Sequence, residues 1–224
     1  MLLPADLRAR ALPENTPEAR WGLVPVPAGT NPWSFASHPL RSDVTVWCET
    51  WASLSTSSPP GVFVWGEAGT GKTGLAIASL RVCAERGDGD TGIWNIMTLA
   101  QALGKDTPGR LAPVHFASWR ALAHKLRRES WRMGEDSLLD ALDQRVDVLA
   151  LDDLDVGGMS AWKEEVLLHL LQRPAEGRRL ILTANVPPQT LAERFGERCA
   201  DRLLDSSLFA LIPVHGRSWR RRDE

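Results

Sequence analysis

Short, nearly continuous apolar runs alternate with longer segments of helical spacing along most of the chain. Val62-Phe63-Val64-Trp65, Pro113-Val114-His115-Phe116, Val146 to Leu151, Arg179 to Asn185 and Leu208 to Ile212 have the length and composition of strands buried on both faces. Between them, Gly74 to Ala84 reads as an apolar helix. Ser118 to Arg128 places Trp119, Leu122, Ala123 and Leu126 on one helical face, and Trp162 to Gln172 does the same with Val166, Leu167, Leu170 and Leu171. Leu191 to Leu204 is helical, broken or bent at Gly196. Strands alternating with helices predict a five-stranded parallel sheet covered on both faces by helices. Within residues 91–113, the spacing of Ile93, Ile96, Met97, Leu99, Ala100 and Leu103 predicts a further short helix. Ser42 and Asp43 offer N-caps for a helix through Trp47 and Trp51 that ends in Ser55 to Gly61. No internal repeat is visible.

Before that helix the pattern changes. Residues 1–40 carry Pro4, Pro13, Pro17, Pro25, Pro27, Pro32 and Pro39, a density that breaks any long helix and leaves little to bury. This segment reads as an arm that docks on the body or binds a partner, followed by one α/β domain over residues 41–224. Charge adds little, because the formal net charge of −2 gives no global signature of a nucleic-acid binder and leaves DNA contact to a local surface. One such surface is the outer side of the helix after Ser118, where Arg120, Lys125, Arg127, Arg128 and Arg132 gather and Trp119 or Trp131 offers a ring for stacking on a base. A solvated helix face explains the same residues. Cys48, Cys83 and Cys199 are odd in number and far apart, which suggests neither a disulfide framework nor a zinc site. No run approaches the ~20 apolar residues of a membrane span, and the start lacks a basic region followed by an apolar one. A cytoplasmic protein without a membrane segment is expected.

Gly66-Glu67-Ala68-Gly69-Thr70-Gly71-Lys72-Thr73 carries the chemistry. It fits G-x-x-x-x-G-K-[ST], the phosphate-binding loop or Walker A motif, and stands between a predicted strand and a predicted helix as that motif requires. Successive backbone N–H groups of a glycine-rich turn make a nest for anions, and the following helix aims its positive end at them. Lys72 can reach the β- and γ-phosphates of a nucleoside triphosphate, and the Thr73 hydroxyl can hold Mg²⁺. Lys occurs elsewhere only at 105, 125 and 163, so its presence here adds modest support.

A second feature lies about 80 residues later. The apolar run from Val146 ends in Asp152 and Asp153, as a buried central strand does when it delivers acids to its C-terminal edge. Asp152 is placed to hold Mg²⁺ and Asp153 to orient or deprotonate an attacking water, unless the pair only caps the next helix. Asn185, at the end of another strand, can position that water or simply begin the turn into Pro187-Pro188.

With Gly66 to Thr73, Leu149-Ala150-Leu151-Asp152-Asp153-Leu154, Leu182-Thr183-Ala184-Asn185, Asp201-Arg202-Leu203 and the closing His215-Gly216-Arg217-Ser218-Trp219-Arg220, the chain resembles the AAA+ ATPases. Within them it is similar to the bacterial replicative helicase loaders of the DnaC/DnaI type and the transposition helpers of the IstB type. The resemblance implies a P-loop fold lacking most of the C-terminal helical lid, and Mg²⁺-dependent ATP hydrolysis. It implies self-association through the ATP sites, with Asn185 as sensor one, Arg202 as a finger reaching a neighbour's ATP and Arg220 as a sensor-two-like arginine. The implied partners are single-stranded DNA and a replicative helicase, or a transposase on the IstB-like alternative. The second Walker B acid is Asp153, where many members carry Glu.

Overall fold

A computed structural model describes residues 43–53, 59–85, 93–94, 114–133, 139–140, 142–143, 146–216 and 218. The proline-rich arm, and with it the domain boundary near residue 40, lies outside the described residues. The strands are β1 (Gly61–Trp65), β2 (Ile93–Trp94), β3 (Val114–Ser118), β4 (Val148–Asp152), β5 (Arg179–Ala184) and β6 (Phe209–Pro213). They form one sheet in the order β2-β3-β4-β5-β1-β6, and every pairing is parallel. All five predicted strands are present, and the two-residue β2 extends the edge beyond β3. Ile93 corrects the helical expectation, since it pairs with Val114 as a strand residue. A β-branched residue beside Trp94 suits a pleated edge, where backbone bonds to β3 outweigh a weak helical spacing. The other residues of the expected helix lie outside the described residues.

The helices are α1 (Asp43–Ser53), α2 (Lys72–Glu85), α3 (Trp119–Met133), α4 (Ala161–Leu170), α5 (Leu191–Phe195) and α6 (Glu197–Leu204). Alternation along each strand divides the core between the two faces of the sheet. Val62, Val64, Val148, Ala150 and Ile181 pack with Leu75, Ile77 and Leu80 of α2 and with Cys48 and Trp51 of α1. Phe63, Leu149, Leu151, Leu180 and Leu182 pack with α3, α4, α5 and α6 on the other face. Apolar residues on both sides explain why these strands read as continuous hydrophobic runs.

The break between α5 and α6 falls at Gly196, where φ is +86° and an added Cβ would lie 2.2 Å from Glu164 Oε1. A side chain here would have to take a left-handed backbone and displace the Glu164 carboxylate. The three cysteines are free and buried, and burial pushes the thiols of Cys48 and Cys199 up to about 12.

The N-terminal edge of the sheet is braced by arginines. Arg179, the first residue of β5, stacks its guanidinium 3.9 Å from the Trp51 ring centroid and donates to the carbonyls of Trp51 and Ala52 in the last turn of α1. It also donates to Cys83 Sγ, 3.2 Å away on α2. Arg173, only 1% exposed, donates to Leu142 O at 2.9 Å and to Asp143 Oδ1 at 3.0 Å. The other carboxylate oxygen of Asp143 is 2.5 Å from His169 Nε2. The C-terminal edge of the strands is left to the polar residues of the site.

Candidate nucleotide site

The phosphate loop leaves β1 at Gly66 and enters α2 at Lys72. Two glycines are required by what crosses over them. A Cβ on Gly66 would lie 2.1 Å from the Val214 carbonyl oxygen, and a Cβ on Gly69 (φ +85°) would lie 2.1 Å from Ser218 Oγ. The chain following β6 therefore lies against the loop, tied there by Val214 N–H donating to Trp65 O at 2.7 Å. Thr70 Oγ1 closes the turn on Glu67 O at 2.9 Å. Lys72, 5% exposed, donates from Nζ to Gly66 O at 2.9 Å and to Glu67 O at 2.6 Å. Its ammonium is thus held inside the loop that carries it.

The acids of β4 reach this loop across one intervening strand, because β5 lies between β1 and β4. Thr73 Oγ1 is 3.0 Å from each of the Asp152 carboxylate oxygens, and Thr183 Oγ1 donates to Asp152 Oδ1 at 2.6 Å. Burial raises the pKa of Asp152, and the charge of Asp153 pushes the same way; the hydroxyls of Thr183 and Thr73 and the charge of Lys72 oppose it. A hydroxyl and a carboxylate brought together beside a phosphate loop are the hard oxygen donors that suit Mg²⁺. Thr73 and Asp152 supply two such donors, a set that suits an ion sharing the rest of its shell with water and phosphates. Both the loop and the oxygen donors fit Mg²⁺ and a triphosphate.

Asp153 takes the left-handed region at φ +54°, the one described non-glycine residue that does. The turn is fastened to β5, with Asp153 N–H donating to Thr183 Oγ1 at 3.0 Å and Leu154 N–H to Thr183 O at 2.9 Å. Asn185 is tied back in turn to Asp155. Its backbone N–H donates to Asp155 Oδ1 at 2.8 Å, and its Nδ2 stands 3.3 and 3.1 Å from the two carboxylate oxygens. Thr183 and Asp155 escaped the sequence reading. No local signal marks Thr183, whose partner Asp152 lies on the neighbouring strand β4.

The remaining predicted residues are further out. Arg202, on α6, is partly exposed and makes no ion pair with a described residue, although its charge contributes to the lowered pKa of Asp205, for which the Ser207 hydroxyl is the first cause. Arg220 lies outside the described residues. Arg120, Arg127 and Arg128 are exposed on α3 and Lys125 is half-buried, whereas the side chains of Trp131 and Arg132 lie outside the described set. Trp119 is 1% exposed and packs in the core. Its expected role as a base-stacking ring is thereby overturned, because the apolar face of α3 needs it against the sheet. No described helix is long and apolar enough to cross a membrane.

No family model matches the sequence, and no curated protein matches it. Solved structures do match in shape. A structure of the DnaC helicase loader aligns with a TM-score of 0.62 at 18% identity, covering 84% of this chain and 100% of the other. A DnaI structure aligns at 0.60 and 21% identity, over 90% of this chain and 99% of the other. The chain has a DnaC/DnaI-like AAA+ fold. A structure of the replication initiator DnaA bound to AMPPCP and single-stranded DNA aligns at 0.65 with 17% identity, over 84% of this chain and 52% of that one. This chain thus spans about half the length of the DnaA chain. In this AAA+ fold β5 carries Thr183 and leads into Asn185, so it separates the phosphate loop from the acids and contributes to both.

Proposed function

We propose that this chain is a Mg²⁺-dependent ATPase of DNA replication that loads a replicative helicase on single-stranded DNA. The observation that carries the ATPase reading is the convergence of Thr73 on Asp152 beside the glycine-rich loop that buries Lys72. On this reading Lys72 exchanges the carbonyls of Gly66 and Glu67 for β- and γ-phosphate oxygens, and the backbone N–H groups of Gly66 to Thr73 cradle the phosphates. Thr73 and Asp152 would hold Mg²⁺, which when bound would supply positive charge to the phosphate oxygens. Asp153 takes the proton of the attacking water, and Asn185 positions that water. Arg202 from a neighbouring subunit and Arg220 from the same chain stabilise the charge that develops on the γ-phosphoryl group.

The replication reading draws on what the matched structures are: a helicase loader, and an initiator with single-stranded DNA. The exposed arginines of α3 provide a surface that phosphates can occupy. The test is ATP hydrolysis by the full chain with and without Mg²⁺ and single-stranded DNA, joined to affinity capture. Mg²⁺-dependent, DNA-stimulated turnover with capture of a replicative helicase is the expected result. Capture of a transposase would move the protein to the IstB-like role, and absence of turnover would overturn the ATPase reading.

A further inference from the structure

Asn185 is held by one carboxylate at two points, backbone N–H and side-chain amide. An ionised carboxylate only accepts hydrogen bonds, so Asp155 binds the nitrogen end of the Asn185 amide and turns the oxygen end away. Without such a partner the two ends of an asparagine amide exchange at little cost, since its terminal torsion is broad and roughly two-fold. The distinction matters chemically. A water attacking phosphorus directs a lone pair at the phosphorus and its hydrogens elsewhere, toward acceptors; an amide oxygen can receive one of those hydrogens, and an amide nitrogen cannot.

We infer that Asp155 is a positioning residue for hydrolysis, acting through Asn185 by fixing its amide oxygen as the end offered to the attacking water. The inference rests on the ATPase reading given above. In the step concerned, the water oxygen bonds to the γ-phosphorus while the bond from that phosphorus to the β,γ-bridging oxygen breaks. The electron pair leaves on ADP and the water proton passes to the Asp153 carboxylate. Asp155 takes no proton in this step; its oxygens accept from the backbone and side-chain N–H groups of Asn185. Its place in the chain is equally specific. Leu154 N–H is tied to Thr183 O, which sets Asp155 opposite the exit of β5.

The experiment compares Asp155→Ala, Asp155→Asn, Asn185→Ala and the double variant Asp155→Ala/Asn185→Ala with the unsubstituted full chain. ATP turnover, KM for ATP and melting temperature are measured for each. Asp155→Ala should lose ten- to hundredfold in kcat, the range expected of a misplaced catalytic group, while KM stays within about twofold. Asp155→Asn keeps one acceptor oxygen for the Asn185 amide and should recover part of that loss. The double variant should be no slower than Asn185→Ala alone, since a residue acting through Asn185 has nothing further to remove. Additive losses, or kcat and KM failing together with a lowered melting temperature, would make Asp155 a structural turn residue and overturn the inference. Unchanged turnover in Asp155→Ala beside an active parent would overturn the inference while sparing the ATPase reading. A parent with no turnover would overturn both.

Discussion

The Thr73 hydroxyl lies 3.0 Å from both carboxylate oxygens of Asp152, 79 positions away in sequence. Burial raises the pKa of that carboxyl. An acid whose pKa is higher folded than unfolded holds its proton more tightly in the fold, so its ionisation weakens the fold as pH rises through that interval. Asp152→Asn, neutral and nearly isosteric, should melt no lower than the parent near neutral pH without nucleotide. It should also lose the stabilisation given by Mg²⁺ with ATP. At ligand about 100-fold above Kd that stabilisation is about 2.7 kcal/mol, or roughly 5–10 °C for a chain of this size. Differential scanning fluorimetry reads both effects, and a parent-sized shift in the variant would remove Asp152 from the metal.

Lys72→Ala takes away the ammonium buried in the phosphate loop. A hydrogen bond to a charged group contributes about 1.5–3 kcal/mol, so ATP affinity should fall by roughly tenfold or more. Calorimetry checks this, and equal affinity in variant and parent would contradict the assignment of the loop.

Asp153→Asn should bind Mg²⁺ and ATP as the parent does, because Thr73 and Asp152 are untouched, and should stop turnover. Binding and hydrolysis measured on the same preparation separate the two effects. Persistent turnover would place the base elsewhere and leave Asp153 as a turn residue.

Arg202 pairs with no described acid, and a surface pair would contribute only about 0–1 kcal/mol. A finger acting on a neighbour's ATP is worth on the order of 10³–10⁵ in rate. Arg202→Ala should therefore bind ATP nearly normally, hydrolyse it slowly, and regain activity when mixed with Lys72→Ala, whose own Arg202 is intact. Hetero-oligomers that form without any rescue would show that Arg202 does not act in trans.

Replacing exposed Arg127 and Arg128 of α3 with Ala tests the DNA surface. For every phosphate of single-stranded DNA that an arginine no longer neutralises, the slope of log affinity against log salt should become shallower by about 0.7. Fluorescence anisotropy over a salt series measures it. An unaltered slope would make these residues a solvated face.

The phosphate loop was legible because its chemistry is local, with glycines, Lys72 and Thr73 at fixed offsets between a strand and a helix. The five main strands were legible because burial on both faces leaves an apolar run whatever the strand order. The partnerships of Thr183 and Asp155 were not, since they exist only once β4 and β5 become neighbours. Nor did spacing separate the two uses of Trp119, which depend on whether the apolar stripe of α3 has a sheet to cover. In Ile93 the pairing with β3 prevailed over a helical period too sparse to compete.

Arg179 and Asn185 bracket β5, a strand of six residues and hence about 20 Å long. One end is clamped to α1 through Trp51 and Ala52, and the residue just past the other end is hooked by Asp155. A slip of one residue along β5 would turn every side chain to the opposite face of the sheet. It would also drag Arg179 off its indole and pull Asn185 from its carboxylate. The strand is pinned like a taut wire between two posts, and the helix that follows the proline-rich arm is one of them.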